Sequence, residues 1–533
     1  MSRIIITFAA LSALLSCSPG SERGGGEPPA MVVLVSVDQL RADLLDEYAP
    51  AFSHGFVRLA QEGAVFTGAS HRHATTSTAV GHTTLSTGVT PTRHGIVAND
   101  WWERTNDGSM VSVYSVEDTL SPIVGFPAAE GRSPRNIYVD GLADWILAAD
   151  PGARVVSISK KDRAAIPMAG HTRGHVYWIL EEAGAFVTSA YYREENPEWL
   201  DRFNAERMPE ILGSPEWERA TPDSLIGLAR RDAYAYEGDG EHTTFPHRRE
   251  EERRGDLPEA QYRWTARTPA PDRAVLELAK VALDELQLGR RDGGMDYLAL
   301  SFSQTDYIGH DYGPMSQEQL DNLQHLDGLL GELMEVLDQT VGAGRWVMGL
   351  SADHGVRTIP EWVAEQGEDS RRLSREEIRH LREVADEAAA AATREGNDVQ
   401  ESVVAAVEEI PWVREAFLPR EVVGEPADSF AALFGRSFSE TRHTGSLARY
   451  ELYLQLESGV LLRSDRQGTS HGSPYWHDRH VPFILFGGGL EATFSGEPVF
   501  TYQMAPTLAH LAGVAVPAEL DGEPVRIRSG GSP

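Results

Sequence analysis

Carboxylates, imidazoles and a cluster of hydroxyls fall where buried strands should end. These are the groups that hold divalent cations and attack phosphorus. Asp38 lies in SVDQLR, Asp306 and His310 in SQTDYIGHD, Asp353 and His354 in SADHG, and His471 in TSHGSPYWHD. Thr78 lies in TSTAVGHTTLSTG, and SKKDR supplies Lys161 and Arg163. Together they describe a two-metal site for phosphoryl transfer. Asp306 and His310 are four apart, so one helical turn places them on one face. Asp353 and His354 are adjacent, and Gly355 permits a sharp backbone turn. Carboxylate with imidazole is a ligand set that suits zinc. Either pair alone is common by chance, and it is their joint appearance with Asp38 and His471 that carries the inference.

The hydroxyl loop is less selective. Thr78 precedes Gly81-His82 and a helical pattern, where a small hydroxyl most often serves only as an N-cap. Thr75, Thr76, Ser77, Thr83 and Thr84 are rival nucleophiles. A free threonine hydroxyl is a poor nucleophile at neutral pH, but metal coordination favours the alkoxide and a helix N-terminus favours an incoming anion. Lys161 and Arg163, two apart on what reads as an extended segment, can point the same way. Arg offers a planar fork for two phosphoryl oxygens and Lys a compact charge. Asn99, in GIVANDWW, has a side-chain amide for a third oxygen, although Asn beside Asp is also an ordinary turn residue.

These residues need a common edge to meet. Met31–Val37 is a continuous apolar run rich in β-branched residues, as expected of a strand buried on both faces of a parallel sheet. Similar runs over 154–159, 297–302 and 346–350 precede Lys161, Asp306 and Asp353, and 480–487 is another apolar strand. Ligands of open α/β sheets bind beyond the carboxyl ends of strands. Helical patterns at 51–62, 273–287, 317–337 and 504–512 alternate with the strands. The fold class is therefore α/β: a mostly parallel central sheet covered by helices on both faces, with insertions. The insertions are expected near 172–272 and 359–442, the second with a long charged helical pattern over 373–409. Their plainest role is a lid or surface decoration. Length alone would suggest three or four domains at about 150 residues each, but ligands spread from 38 to 471 must converge, so 31–533 reads as one catalytic domain.

The chain has 533 residues with 80 acidic and 48 basic side chains, a formal charge of −32. That balance repels a phosphate backbone and excludes nucleic acid polymer as an expected partner. Residues 1–17, MSRIIITFAALSALLSC, pair one Arg with an apolar run too short to span a bilayer, the pattern of an export signal. Leu14-Leu15-Ser16-Cys17 resembles a lipobox, and Cys17 is the only cysteine, so a lipid anchor explains it better than a disulfide. Residues 18–30 read as a flexible tether. An exported, periplasmic or cell-surface protein is expected, touching the membrane only through Cys17.

Taken in order, VDQLR, the Thr-x-x-Gly-His-Thr turn with LSTG, HGIVANDWW, KKDRAA, TDYIGHDYGP, SADHG, HGSPYWHDRHVP and APTLAHLAG resemble the alkaline phosphatase superfamily. Within it they resemble the PafA-like phosphate monoesterases that use a threonine nucleophile, over nearly the whole mature chain. The resemblance implies Thr78 as nucleophile, one zinc on Asp306, His310 and His471, and a second on Asp38, Asp353 and His354 with Thr78 as a labile ligand. It aligns Asn99, Lys161 and Arg163 with the groups that bind phosphoryl oxygens. It further implies small phosphate monoester substrates, a phosphothreonine intermediate hydrolysed by water, and a monomer. The usual Thr-Gly-Pro-Gly-His turn is here Thr78-Ala79-Val80-Gly81-His82, a local departure at the nucleophile.

The nearest rival is a nucleotide pyrophosphatase/phosphodiesterase of the same superfamily, with the same ligands and threonine. A diester has one fewer ionisable oxygen, so the cations Lys161 and Arg163 favour the monoester. Sulfatases need a Cys or Ser that becomes formylglycine, and the only Cys lies in the export signal. A manganese-dependent phosphoglycerate mutase uses serine in the cytosol. A non-catalytic surface lipoprotein would be expected to lose ligands, and all six are present.

Overall fold

The structure is a computed structural model that describes residues 28–251, 262, 264–423 and 429–527. The expected signal segment, Cys17 and tether residues 18–27 lie outside the described residues. The tether is shorter than its composition predicts, because Ala30 already belongs to the domain. It is buried, and its N–H donates to the Arg345 carbonyl at 2.7 Å.

Nine strands form the central sheet: β1 (Met31–Val37), β2 (Ala64–Ser70), β3 (Val155–Ser159), β4 (His175–Leu180), β5 (Ala185–Val187), β6 (Asp296–Phe302), β7 (Trp346–Ser351), β8 (Phe483–Gly487) and β9 (Thr493–Phe500). Their order across the sheet is β9-β2-β8-β7-β1-β6-β3-β4-β5. Only β5 and β8 run against the others. The mostly parallel sheet is therefore observed. Every residue of β1 is buried, and its alternation feeds two cores. Val33 and Val35 pack into one with helices α1 (Gly55–Glu62), α4 (Ala270–Glu285) and α6 (Gln317–Leu337), through Phe56, Leu276 and Leu330 among others. Val32 and Leu34 pack into the other with α2 (Thr78–Thr87), α3 (Asp162–Ala169) and α9 (Met504–Ala512), through Leu85, Ile166 and Leu508. A Leu34→Ala change here removes contacts on a fully buried face and should cost about 2–5 kcal/mol.

Register places the site. Ser36 of β1 pairs with Ser301 of β6 and Ser351 of β7, and Ser301 pairs with Ser159 of β3. Four parallel strands thus end flush, and the segments after them carry Asp38, Lys161, Asp306 and Asp353 to one edge. β8 is antiparallel, with Phe483 opposite Ser351, so the loop before it, which bears His471, arrives at that same edge. α2 follows β2 there as well.

Both expected insertions need new boundaries. Residues 175–187 are not inserted, because β4 and β5 extend the central sheet; their aromatic content is that of an edge packed by Trp199 and Phe203. The second insertion runs past 442. Its own core joins α7 (Arg375–Glu395) and α8 (Val399–Val407) to Leu452 and Val460, and Val413–Phe417 pairs with Tyr453–Leu456. The single helical pattern over 373–409 is two helices, because Gly396 turns left-handed (φ 76°) and ends the first.

Candidate active site

All seven side chains expected as metal ligands converge. Asp38, Asp353 and His354 form one cluster of ligand atoms, and Asp306, His354 and His471 form another, each within 4.8 Å. His354 thus lies between the two groups, its ring stacked on that of His471 with centroids 3.6 Å apart. His310 joins the second group through Nε2, 3.2 Å from Asp306 Oδ1, and its ring centroid lies 5.0 Å from that of His471.

The chemistry of the donors fits a pair of divalent cations. Three imidazoles use Nδ1 on backbone carbonyls: His310 on Thr469 at 2.9 Å, His354 on Gly355 at 2.9 Å, and His471 on Thr76 at 2.7 Å. A carbonyl only accepts, so Nδ1 carries the proton and Nε2 presents its lone pair to the site. Asp38 Oδ1, Asp353 Oδ2 and His354 Nε2 are fully enclosed and have no hydrogen-bond partner. Such buried atoms are costly unless something positive satisfies them.

Burial by itself raises a carboxyl pKa, and Asp38 and Asp306 respond in opposite directions. Asp38 is pushed well above its usual range by burial and by the nearby Asp353 charge. Burial also opposes ionisation of Asp306, but Lys161 and His310 outweigh it and hold that carboxyl well below its usual value. His471 is held neutral by burial and by its histidine neighbours, the form a metal ligand needs.

Thr78 is the first residue of α2, and Ser77 is its N-cap. The rival hydroxyls are largely committed elsewhere. Thr76 Oγ1 donates to Ser473 O, Thr83 Oγ1 to Ala79 O and Thr84 Oγ1 to Val80 O. Thr78 Oγ1 instead faces Lys161 Nζ at 3.5 Å. That ammonium is buried between Asp38 Oδ2 at 2.6 Å and Asp306 Oδ2 at 2.5 Å, linking the two clusters. The expected extended segment around it is corrected: Lys161 is the N-cap of α3 and Arg163 lies in its first turn, because Asp162 opens the helix with its acidic side chain. Arg163 Nη1 lies 3.4 Å from Tyr114 Oη. Tyr114 ends the hairpin that begins at Asp100, so one ribbon holds Asn99 and the partner of Arg163 together. Asn99 Oδ1 accepts the Ala79 N–H at 2.9 Å, which fixes the amide plane and leaves its NH2 for another acceptor.

Three positioning residues had no assigned role in the sequence. Gln39, directly after Asp38, has a left-handed backbone (φ 68°), a conformation that strains a non-glycine residue. Its N–H donates to Asp353 Oδ1 at 3.0 Å and its Nε2 to Asp306 Oδ1 at 2.6 Å, so it spaces the carboxylates of the two clusters. His82 binds Thr78 O through Nδ1 at 2.8 Å and Ser301 Oγ through Nε2 at 2.9 Å, pinning the Thr78 turn to β6. Gly81 meets the backbone of Asp353 so closely that an added Cβ would lie 2.0 Å from its carbonyl oxygen. The available signal was adjacency to quoted motifs, but contacts across the chain cannot be read from adjacency. Gly81→Ala must displace Asp353 or α2, and kcat/KM on an aryl phosphate should fall about a hundredfold or more, as for an ångström-scale misplacement of reacting groups. Near wild-type kinetics would show that this contact does not set the site.

The chain is 29% identical to alkaline phosphatase PafA of Elizabethkingia meningoseptica, over 95% of this chain and 96% of that protein. It is 30% identical to a protein of Myroides odoratus named calcium-transporting ATPase, over 94% of each. The crystal structure of wild-type PafA superposes with a TM-score of 0.84 at 26% identity, covering 94% of this chain and 99% of that one. Residues 32–424 match the type I phosphodiesterase / nucleotide pyrophosphatase family. That span includes the sheet strands up to β7, the hydroxyl turn and every candidate metal ligand described above except His471, and the chain belongs to this family, within the alkaline phosphatase superfamily.

Proposed function

We propose that the protein is an alkaline phosphatase that hydrolyses phosphate monoesters through a phosphothreonine at Thr78, with two zinc ions held by Asp306, His310 and His471 and by Asp38, Asp353 and His354. The observation that carries this reading is the buried hydroxyl of Thr78 at a helix N-terminus, beside Lys161 and two ligand clusters with unsatisfied donor atoms. The resemblance in sequence and structure to a protein named alkaline phosphatase supports it.

Bound in this cage, divalent cations supply Lewis acidity to the attacking and departing oxygens of an in-line displacement. The rest falls to the chain's own groups. Thr78 Oγ1 forms the bond to phosphorus as the ester oxygen leaves, and water later cleaves the phosphothreonine to phosphate and free threonine. The amides at the start of α2, the Asn99 NH2, Lys161 and the Arg163 fork share the charge on the phosphoryl oxygens. A monoester dianion rewards such cations more than a diester monoanion does.

The test is kcat/KM for an aryl phosphate monoester, the matching diester and ATP, with zinc added. A monoester preference of several orders of magnitude supports the proposal. A diester preference moves the protein to the nucleotide pyrophosphatase/phosphodiesterase reading that its family also contains, and an ATP preference would favour the activity in the Myroides relative's name. Replacing both Lys161 and Arg163 by Ala is expected to lower monoesterase activity at least about a hundredfold more than diesterase activity. Equal losses would sink the idea that these cations set the preference. Export with a lipid on Cys17, and action as a monomer, belong to the same proposal. No helix among the described residues is long and apolar enough to cross a membrane.

A further inference from the structure

Beside His471 lies a cavity of about 290 Å³ between the catalytic edge and the second insertion. Thr75 and Asp100 line it from the core side, and Phe434, Leu454 and Leu462 from the inserted side. His471 lines the cavity and bonds to Thr76 O, and Thr78 follows two residues on, so the cavity adjoins the candidate site through His471. At 290 Å³ it suits a small organic group rather than a nucleotide.

Its walls also hold Arg357, three residues after the ligand His354. This side chain is only 7% exposed. Of its five N–H donors, one bond is formed to the described residues, from Nη2 to Ser458 O at 2.6 Å. Among the described residues no carboxylate lies within 4.0 Å of the guanidinium. Asp478 lines the same cavity and its charge acts on Arg357 from beyond 4.0 Å; its Oδ2 accepts from the N–H and hydroxyl of Ser473, and burial pushes its pKa up to about 6. Asp100 is exposed, and the charge of Arg163 acts on it. Burial lowers the pKa of Arg357 against the more distant charge of Asp478, and the cost of burying a guanidinium with no direct ion pair among the described residues is recovered when an anion binds. The backbone carbonyl of Arg357 accepts from Thr469 Oγ1 at 2.9 Å, and Thr469 O in turn holds His310, so the residue is built into the frame of the site.

We propose that this cavity is a leaving-group subsite in which Arg357 binds a carboxylate, so that the preferred substrates are phosphate monoesters of small organic acids with an apolar body. One guanidinium among leucine and phenylalanine side chains matches a monoanion better than a second phosphoryl dianion. The inference rests on the phosphatase reading, and the experiment separates the two.

The probes are 4-methylphenyl phosphate and 4-(carboxymethyl)phenyl phosphate, whose leaving groups have nearly equal acidity because the methylene insulates the ring. The native protein should prefer the carboxylated substrate in kcat/KM by about 10- to 100-fold, the range of one buried charge-assisted hydrogen bond. Arg357→Met should erase that ratio, and Arg357→Lys should restore part of it. Binding of 4-hydroxyphenylacetate, followed by calorimetry, should weaken in the same order. If native protein turns over both substrates with no preference, the subsite is overturned while the phosphatase reading stands. If neither is hydrolysed, that reading fails, and calorimetry alone decides whether Arg357 binds the acid. Equal loss of both substrates in Arg357→Met, with a lowered melting temperature, would make Arg357 a structural tie to Ser458 and overturn the proposal. A strong preference for a phosphonomethyl analogue over the carboxylate would also overturn it.

Discussion

Thr78→Ala is expected to abolish phosphomonoester turnover, with kcat/KM on an aryl phosphate down by at least about a thousandfold, while fold and metal content are retained. The reason is chemical: the variant keeps Lys161, Arg163, Asn99 and both ligand clusters but has no atom to form the covalent intermediate. Losing a nucleophile in other covalent hydrolases costs more than a thousandfold even when the binding groups remain. The side chain is 1% exposed and, among the described residues, its hydroxyl meets only the 3.5 Å approach of Lys161, so removing it disturbs little packing. Thr78→Ser keeps the oxygen and should keep measurable activity. Acid quench of the native protein during turnover should trap phosphate on Thr78 and on no other residue. Label on Ser77, whose buried hydroxyl also lacks a partner, would transfer the role by one position. Undiminished turnover in Thr78→Ala would remove it from the turn altogether.

Stripping divalent metal with a chelator is expected to eliminate activity and to lower thermal stability together. A ligand held at a thousand times its Kd stabilises a folded protein by about 4 kcal/mol per site, and that term vanishes with the metal. Asp38 makes the effect diagnostic. Its folded pKa is raised, so without metal its contribution to stability is fully present below the ordinary carboxylate pKa and is lost as pH rises through the folded value. Asp38→Asn should therefore raise the melting temperature of the stripped protein at neutral pH and lower that of the loaded one. Metal analysis should give two ions per chain for the native protein and fewer for the variant. If chelation leaves the melting curve unchanged and Asp38→Asn acts alike in both states, the buried carboxylates are not a metal cage.

The two corrections to the fold have a shared cause. The segment 172–187 is rich in aromatic residues, and aromatic content fits both an edge strand and an irregular lid. Only its pairing with β3 shows that it belongs to the sheet. The second insertion ends late because Tyr453–Leu456 pairs with Val413–Phe417 across more than thirty residues of chain, a contact no local pattern marks. Helix α6 was legible from end to end, since twenty-one residues of apolar periodicity and the Ser316 cap agree.

The residues of the candidate site were legible in the sequence as expectations, and the structure brings them together. Residue type decides which groups ligate, attack or bind an oxyanion, and an unbroken apolar run before each of them is the physical mark of a buried parallel strand. The sequence therefore determined the α/β class, the six ligands and the three phosphoryl-binding groups as expectations. Tertiary structure alone decided how they meet: that strands ending in step bring Asp38, Asp306 and Asp353 together, that an antiparallel strand delivers His471, and that Gln39, His82 and Gly81 set the spacing. It also decided that Arg357 is buried in the cavity beside His471, with no carboxylate within 4.0 Å among the described residues. Such facts depend on contacts between residues tens to hundreds of positions apart, and distance along the chain carries no information about them until the sheet has formed.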